Sequence, residues 1–421
     1  MVKFIHAADI HLDSPLRGLE RYEGAPVDEI RQATRRALEN MVKLAIKDRV
    51  DFVLLAGDIY DGDWRDHNTG LFFAKQMSVL RTKNIQVFLI AGNHDAKNVM
   101  SKHLRLPDNV HYFETAKPET VHLEKLGVAI HGQGFSTKAV TKNLSKDYPA
   151  ATPDMFNIGL LHTSMTGREG HDSYAPCTTE NLINLGYDYW ALGHVHAREC
   201  VNDQPPVWFA GNLQGRHIRE TGPKGCLIVT VEESSDPSVQ FQALDVIRWE
   251  NIVIDVSDAH TLEDCLDSFK EKITGILERG ENLMSAVRVR IEGKSIAHEA
   301  LAAQVENFQE NIRAIANDYG EGRMWVEKVK IRTQPCESEF PAHNTDDAMG
   351  ELSSIIESLA TDETARIKLL EELEPLTAKL PADFWKDKEN RQLVDSSTLL
   401  TAVQQAYPML AARLRKSEEV T

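Results

Sequence analysis

The sequence predicts an α/β protein: a four-layer α/β/β/α sandwich over residues 1–245, a small α+β domain over 246–334, and a linker with a short helical region over 335–421. Three observations predict it. Strand-like apolar runs alternate with helical stripes through the first half of the chain. Several of those runs lead directly into short blocks rich in His, Asp and Asn. The order then becomes strand, helix, strand, helix, strand before a polar, proline-bearing stretch. A chain of 421 residues exceeds one ordinary domain, which supports the division.

Phe4-Ile5-His6-Ala7-Ala8 reads as the first strand. Ile30, Ala33, Ala37, Met41, Leu44 and Ala45 recur at helical spacing before the second, Phe52-Val53-Leu54-Leu55-Ala56. Leu71, Ala74, Met77 and Leu80 form another helical stripe before the third, Val87-Phe88-Leu89-Ile90-Ala91. Strands then crowd together: Val128-Ala129-Ile130, Ile158–Leu161, Tyr189–Leu192, Val207–Ala210 and Leu227–Val231. This crowding predicts a pair of mixed sheets with helices outside. In the second domain Ile252, Ile254 and Val256 alternate as a strand. Thr261 is set to cap a helix carrying Leu262, Leu266, Phe269, Ile273 and Leu277, stopped at Gly280. Val287, Val289 and Ile291 alternate with Arg288 and Arg290 on the next strand. Leu301, Val305, Phe308, Ile312 and Ile315 form a helical stripe, and a last strand runs near Trp325 to Arg332. Pro335 to His343 is a linker. Amphipathic helices follow, marked by Met349, Leu352, Ile356 and Leu359, by Ile367, Leu370 and Leu373, and by Leu399, Val403, Ala406 and Leu410.

With 42% hydrophobic and 26% charged residues, the composition is that of a globular protein. No apolar run approaches the roughly 20 residues that span a bilayer, so no membrane association is expected. Met1 leads straight into a strand, so a cleavable leader is not expected either. Cys177, Cys200, Cys226, Cys265 and Cys336 are an odd set without C-x-x-C spacing, which fits a reducing cytoplasm. The net charge of −17 argues against indiscriminate nucleic-acid binding through bulk charge but leaves room for a local basic path. Residues 337–421 hold 17 Asp and Glu against 9 Lys and Arg, so about half the acidity belongs to a tail region.

The chemistry lies in five blocks: Asp9-x-His11, Gly57-Asp58, Gly92-Asn93-His94-Asp95, His162 and Gly193-His194-x-His196. Each follows an apolar run. Ligands at the ends of several strands meet in one crevice, where open α/β sheets hold what they bind. Extended backbone points residues i and i+2 the same way. Asp9 with His11, and His194 with His196, can therefore each present two ligands to one cavity. Carboxylates and imidazoles together suit Mn²⁺, Fe²⁺ or Zn²⁺. One carboxylate commonly bridges a metal pair roughly 3.5–4 Å apart, and Asp58 lies between the two halves of the ligand set. Asn93 can ligate through its carbonyl oxygen. Such a pair lowers the pKa of a shared water, giving hydroxide near neutral pH, and clamps a phosphate. His94 is placed to donate a proton to the leaving oxygen, and Asp95 to orient it by a hydrogen bond.

These blocks are similar to the calcineurin-like metallophosphoesterase signature. "HAADIHLDSPL", "LLHTSMTG", "YDYWALGHVH" and "GNLQGRHIRETGPKGC" resemble the SbcD-type DNA repair exonucleases, in their bacterial YhaO-like branch. The resemblance covers roughly residues 1–235; the α+β domain resembles the family's capping domain in layout only. It implies one metal held by Asp9, His11, Asp58 and His196, and a second by Asp58, Asn93, His162 and His194, with His94 catalytic. Two divalent ions are expected, Mn²⁺ first, with Fe²⁺ or Zn²⁺ compatible. Some members carry a second active-site histidine three residues after the bridging aspartate. Asp61 stands there in this chain, so that role does not transfer.

The expected activity is metal-dependent cleavage of DNA, as an exonuclease or endonuclease in DNA repair. The implied partners are DNA, an SMC-like ATPase of the SbcC/YhaN type docking near the C-terminal end, and a second copy of the chain. The alternatives are a phosphatase or cyclic-nucleotide phosphodiesterase of the same fold, or a non-catalytic scaffold subunit. His6 and His131 are assigned to the core or rim. Arg216, His217 and Arg219 are candidate nucleic-acid contacts, as is His171, against an ordinary solvated loop. Arg288 and Arg290 with Lys328, Lys330 and Arg332 would make a basic sheet face if their strands are neighbours; a plain solvated face is the favoured reading.

Overall fold

A computed structural model describes residues 1–14, 25–61, 67–97, 105–166, 174–232, 236–278, 283–336 and 348–380, with residues 399, 400, 402, 403, 406, 407 and 410 beyond. It divides into two compact units: Met1–Glu250 with Leu283–Val287, and Asn251–Asn282 with Arg288–Thr421.

The first unit begins with β1 (Val2–Ala7), α1 (Val27–Lys47), β2 (Phe52–Leu55), α2 (His67–Arg81), β3 (Gln86–Leu89) and β4 (Val110–Tyr112). Then come β5 (Glu119–Leu123), β6 (Val128–Gly132), β7 (Phe156–His162), α3 (Thr179–Ile183), β8 (Tyr189–Gly193), β9 (Glu199–Asp203) and β10 (Pro206–Phe209). Two further strands, β11 (Gly225–Val231) and β12 (Ser238–Ala243), return to the first sheet. That sheet has the order β12-β11-β1-β2-β3-β4, with β1 to β4 parallel and β11 antiparallel to both neighbours. The second has the order β5-β6-β7-β8-β10-β9, parallel from β6 to β10, with antiparallel edges.

Among the described residues, alternation along the strands builds apolar cores on both faces of the sheets. Phe4, Phe52 and Phe88 face Ile130, Ile158, Leu160 and Tyr189 across the gap between the sheets. Phe4 stacks on Phe52 with centroids 4.9 Å apart and meets the Tyr189 ring edge at 5.5 Å. On the outer face, Ile5, Val53 and Val87 pack with Ala37 and Met41 of α1 and Phe73, Met77 and Leu80 of α2. Trp190, Leu192 and Phe209 of the second sheet are covered by Tyr148, Leu182 and Tyr187. The fourth layer is thin there, because α3 has only five residues.

Four strands escape the periodicity: β4, β5, β9 and β12 are half-exposed and largely polar, so no apolar run marks them. Each lies at or beside a sheet edge. The α2 stripe is also displaced from the expected one. Leu71 is 60% exposed, while Phe73, Met77 and Leu80 form the buried face. Paired phenylalanines at 72 and 73 fit two overlapping helical registers, and packing selects one.

The three-stranded sheet β13-β14-β15 comprises β13 (Ile247–Asp255), β14 (Met284–Lys294) and β15 (Met324–Gln334). Its first helix, α4 (Leu262–Leu277), begins at Thr261, whose side chain and that of Asp264 form a capping box. The expected stop, Gly280, lies outside the described residues. The second stripe is two helices, α5 (His298–Ala303) and α6 (Val305–Tyr319), parted at Gln304, whose φ of −126° and ψ of 35° are not helical. β14 and β15 are neighbours, but Arg288 is bound by both oxygens of Glu327 at 2.7 Å, and Arg290 meets Glu292 at 3.3 Å. Acidic partners thus answer the two arginines within the sheet. α7 (Ala348–Thr361) and α8 (Glu363–Thr377) follow. Among the described residues no helix is long and apolar enough to cross a membrane.

Candidate metal centre

Each block lies at or just beyond the C-terminal end of a parallel strand. Asp9 and His11 follow β1, Asp58 follows β2, and Asn93 and His94 follow β3; His162 ends β7, and His194 and His196 follow β8. The backbone there is not extended, contrary to the i, i+2 argument. Asp9, His11, Asp58 and His194 have φ of +50°, +46°, +53° and +103°. Alternating left-handed residues, not a pleat, bring Asp9 and His11 together. Each such position costs on the order of 1–3 kcal/mol. Asp9 N–H donates to Gly57 O and His11 N–H to Asp58 O, both at 3.0 Å, tying the first loop to the second. The glycines are steric requirements. A Cβ on Gly92 would lie 2.2 Å from Asp58 Oδ1, and one on Gly193 2.0 Å from the Ala56 carbonyl oxygen.

Eight ligand-type side chains converge. Asp9, His11 and His196 offer atoms within 4.8 Å of one another; so do Asp58, His162 and His194, and so do His11, Asp58 and His94. Asn93 Oδ1 lies 3.0 Å from His162 Nε2 and 3.1 Å from His194 Nδ1. His11 Nε2 is 3.2 Å from His196 Nε2, and His162 Nε2 is 3.5 Å from Asp58 Oδ2. Asp9, His11, Asp58, Asn93 and His162 are all buried. The donor chemistry fits cations. His162 Nδ1–H donates to the Ala56 carbonyl at 2.8 Å, so its Nε2 lone pair faces Asp58 and Asn93, with acceptors on every side. Such a lining favours a cation. Burial opposes a charge on His162 itself, but the Asp58 and Asp9 carboxylates raise its pKa to about 9. Burial raises Asp9 itself, while burial and then Arg216 lower His11 to about 3.

His94 stands at the edge of this cluster, its side chain 34% exposed. Its N–H donates to Asp58 Oδ1 at 2.9 Å. The carboxylate at its ring is Asp61, with Oδ1 2.9 Å from Nδ1. Burial opposes a charge on His94, but the Asp61 bond and the Asp58 charge raise its pKa. Asp95 lies among backbone donors. Its oxygens accept from the backbone N–H groups of Ile59, Tyr60 and Gly92 at 2.9–3.2 Å, joining the second and third loops. Asp61 also accepts from Ser14 Oγ at 2.5 Å.

Arg216 is largely but not wholly buried. Only 13% exposed, its side chain lies 3.1 Å from Glu220 and 3.9 Å from Asp61. His217 and Arg219 are exposed; His171 lies outside the described residues. His6 is buried between Tyr189 OH at 3.0 Å and Leu192 O at 3.1 Å, and His131 between Thr120 and Asn157. Both are core histidines. Sequence reading passed over Asp61 as a partner of His94 and Glu220 altogether. The Arg216–Glu220 spacing of four is the sole local signal for Glu220, and loops contain many such pairs.

Residues 2–198 match the calcineurin-like phosphoesterase family, and residues 249–334 match the middle domain of metallophosphoesterase YhaO. The chain is 34% identical over 370 residues to the uncharacterized metallophosphoesterase YhaO of Bacillus subtilis, covering 85% of this chain and 89% of that protein. It is 22% identical over 319 residues to the DNA double-strand break repair protein Mre11 of Sulfurisphaera tokodaii, covering 73% and 77%. To the protein of that name in Archaeoglobus fulgidus it is 25% identical over 239 residues, 52% of each chain. Strand-end ligands, glycine-dependent turns and a relative matched over most of its length agree: the chain belongs to the calcineurin-like metallophosphoesterase family, in its YhaO-like branch.

Proposed function

We propose that this chain is a metal-dependent phosphodiesterase that cleaves DNA in repair, working with an SMC-like ATPase. The observation that carries the chemistry is the convergence of Asp9, His11, Asp58, Asn93, His162, His194 and His196 beside a half-exposed His94. DNA as substrate is supported by the archaeal relatives named as double-strand break repair proteins. The exposed His217 and Arg219 are available to a phosphate backbone.

On this reading Asp9, His11, Asp58 and His196 hold one divalent ion, and Asp58, Asn93, His162 and His194 the other, with Mn²⁺ the expected metal. The pair supplies Lewis acidity toward the phosphate and lowers the pKa of water. His94 supplies the proton. Asp61 occupies its Nδ1, which leaves Nε2–H for the leaving oxygen. Water loses a proton to solvent and adds to phosphorus as hydroxide, the P–O bond breaks, and the departing oxygen takes the His94 proton, which solvent then restores. A positioned acid of this kind contributes about 10²–10⁴ in rate.

End-labelled linear DNA in Mn²⁺, with wild type beside His94→Ala, tests this. Wild type should cleave; the variant should be slower by about 10²–10⁴-fold while keeping its ions. Unchanged turnover in the variant would remove His94 as the acid. A metal-loaded wild type that leaves DNA intact alone and with the ATPase, yet hydrolyses a small phosphoester, would remove DNA as the substrate. The acidic C-terminal region is the segment we assign to the ATPase. Deleting residues 337–421 should abolish co-purification with it, and sedimentation would test the homodimer implied by the same resemblance.

A further inference from the structure

We infer that Glu220 is a positioning residue for the metal centre, and that the loop from Gly211 to Lys224 is built to hold His196 through it. The inference rests on the two-ion reading above. His196 is only partly buried, its side chain 27% open, and it has no strand of its own. Without support its ring would sample several rotamers. The loop grips it at both ends. Glu220 Oε1 accepts from the ring Nδ1–H at 2.7 Å, which directs Nε2 toward His11 and Asp9, 3.2 and 4.0 Å away. The His196 carbonyl accepts from Lys224 Nζ at 3.1 Å and from Asn212 N–H at 3.3 Å.

Glu220 is in turn immobilised. It is 5% exposed. Its Oε2 accepts from Asn212 Nδ2 at 2.9 Å and from Arg216 N–H at 2.8 Å, and the Arg216 guanidinium reaches Oε1 at 3.1 Å. Gly211, with φ of +76°, sits where a Cβ would be 3.0 Å from the His196 carbonyl oxygen, so the loop can close this tightly only on a glycine. A buried carboxylate with every lone pair engaged, one of them on a ligand's far nitrogen, fixes that ligand's tautomer and orientation and raises its basicity. Arg216 also stands 3.9 Å from Asp61, the partner of His94. One guanidinium thus lies between the carboxylates behind two active-site histidines.

Titration of the full chain with Mn²⁺ by calorimetry, wild type beside Glu220→Gln and Glu220→Ala, tests the inference. Wild type should bind two ions. In both variants one of the two should bind about 10–100-fold more weakly, with the other unchanged, and the alanine should be worse than the glutamine, which keeps an acceptor. Imidazole ¹⁵N spectra of the metal-free protein give a second reading. His196 should be the Nδ1–H tautomer in wild type and a tautomer mixture in Glu220→Ala. Should the alanine not fold, the glutamine variant, which retains volume and hydrogen bonding, carries both measurements. A wild type binding fewer than two ions would overturn the two-ion reading and this inference with it. Two ions in wild type, bound with equal affinity by a folded Glu220 variant, would overturn this inference alone.

Discussion

Glu321 turns the chain between α6 and β15 with a φ of +50°, and it is the single non-glycine left-handed residue of the second unit among those described. Met1–Glu250 has ten, and Asp9, His11, Asp58 and His194 are four of them. The buried carboxylates follow a similar distribution. Asp9, Asp58, Asp95, Glu220 and Asp245 are buried in the first unit, against Glu327 in the second. One unit rests on elements such as α4 and α6, whose buried residues recur at helical spacing. The other gathers strain and buried charge at the ends of its strands and offsets them with cores on both faces of each sheet. Strain of this sort persists where surrounding structure over-determines it, and here it coincides with the ligand cluster.

The sharpest way to break that comparison is to separate charge from strain. Asparagine tolerates the left-handed region almost as well as aspartate, so Asp58→Asn should keep the backbone at φ +53° and the cooperative unfolding of wild type. It should nonetheless bind fewer than two ions and lose turnover. Two ions at wild-type affinity in this variant would show that the Asp58 charge is dispensable.

A pair of glycine substitutions comes next. In Gly193→Ala the new Cβ would stand 2.0 Å from the Ala56 carbonyl oxygen, backbone against backbone, and nothing flexible can yield. A loss above about 4 kcal/mol, or failure to fold, is expected. Gly322 has φ +74° with open space around it, so Gly322→Ala should cost about 1–2 kcal/mol, the price of a Cβ in left-handed backbone. Urea denaturation measures both. Equal losses would mean that the site's turns are no more constrained than an ordinary loop.

His6 probes the first unit away from the centre. Burial holds its pKa down to about 3 in the fold, despite the Leu192 carbonyl, whereas an unfolded histidine titrates near 6.5. The unfolded chain therefore takes the proton first as pH falls. Its contribution is complete above about pH 6.5 and drains away toward about pH 3, amounting to about 2 kcal/mol between pH 7 and 5. His6→Gln should remove that part of the acid sensitivity. An unaltered dependence of stability on pH would place the proton uptake elsewhere.

The strand-end ligands were legible because Asp9, Asp58, Asn93, His162 and His194 each lie at the end of, or within a few residues after, an apolar run, and such runs become parallel strands whose ends converge. Their partners were not. Asp95 is next to His94 in sequence, whereas Asp61, which lies at the ring, is 33 positions away. Glu220 is one acid in a polar loop, and its meaning comes from His196, brought to it by tertiary packing. Nor can sequence show that two carboxylates, Glu220 and Asp61, lie beside Arg216. Periodicity reports burial against a whole sheet or helix. It is silent on single polar contacts, and on edge strands such as β12, whose side chains face partly to solvent.

The smallest expected effect belongs to the second unit. Glu327, 5% exposed, binds Arg288, 21% exposed, through two bonds of 2.7 Å. Glu327→Gln keeps the shape and one acceptor but removes the negative charge from this pair. Charge-assisted hydrogen bonds contribute about 1.5–3 kcal/mol each when lost outright, so a neutral replacement should cost about 1–2 kcal/mol. Turnover per folded molecule and the affinity for both ions should be unchanged, because neither residue belongs to the ligand set. A folded Glu327→Gln protein with slower DNA cleavage would undo the division between a strained, reactive unit and a merely stable one. The basic strand residues beside Glu327, notably the exposed Lys328, would then have to be counted among the groups that meet the substrate.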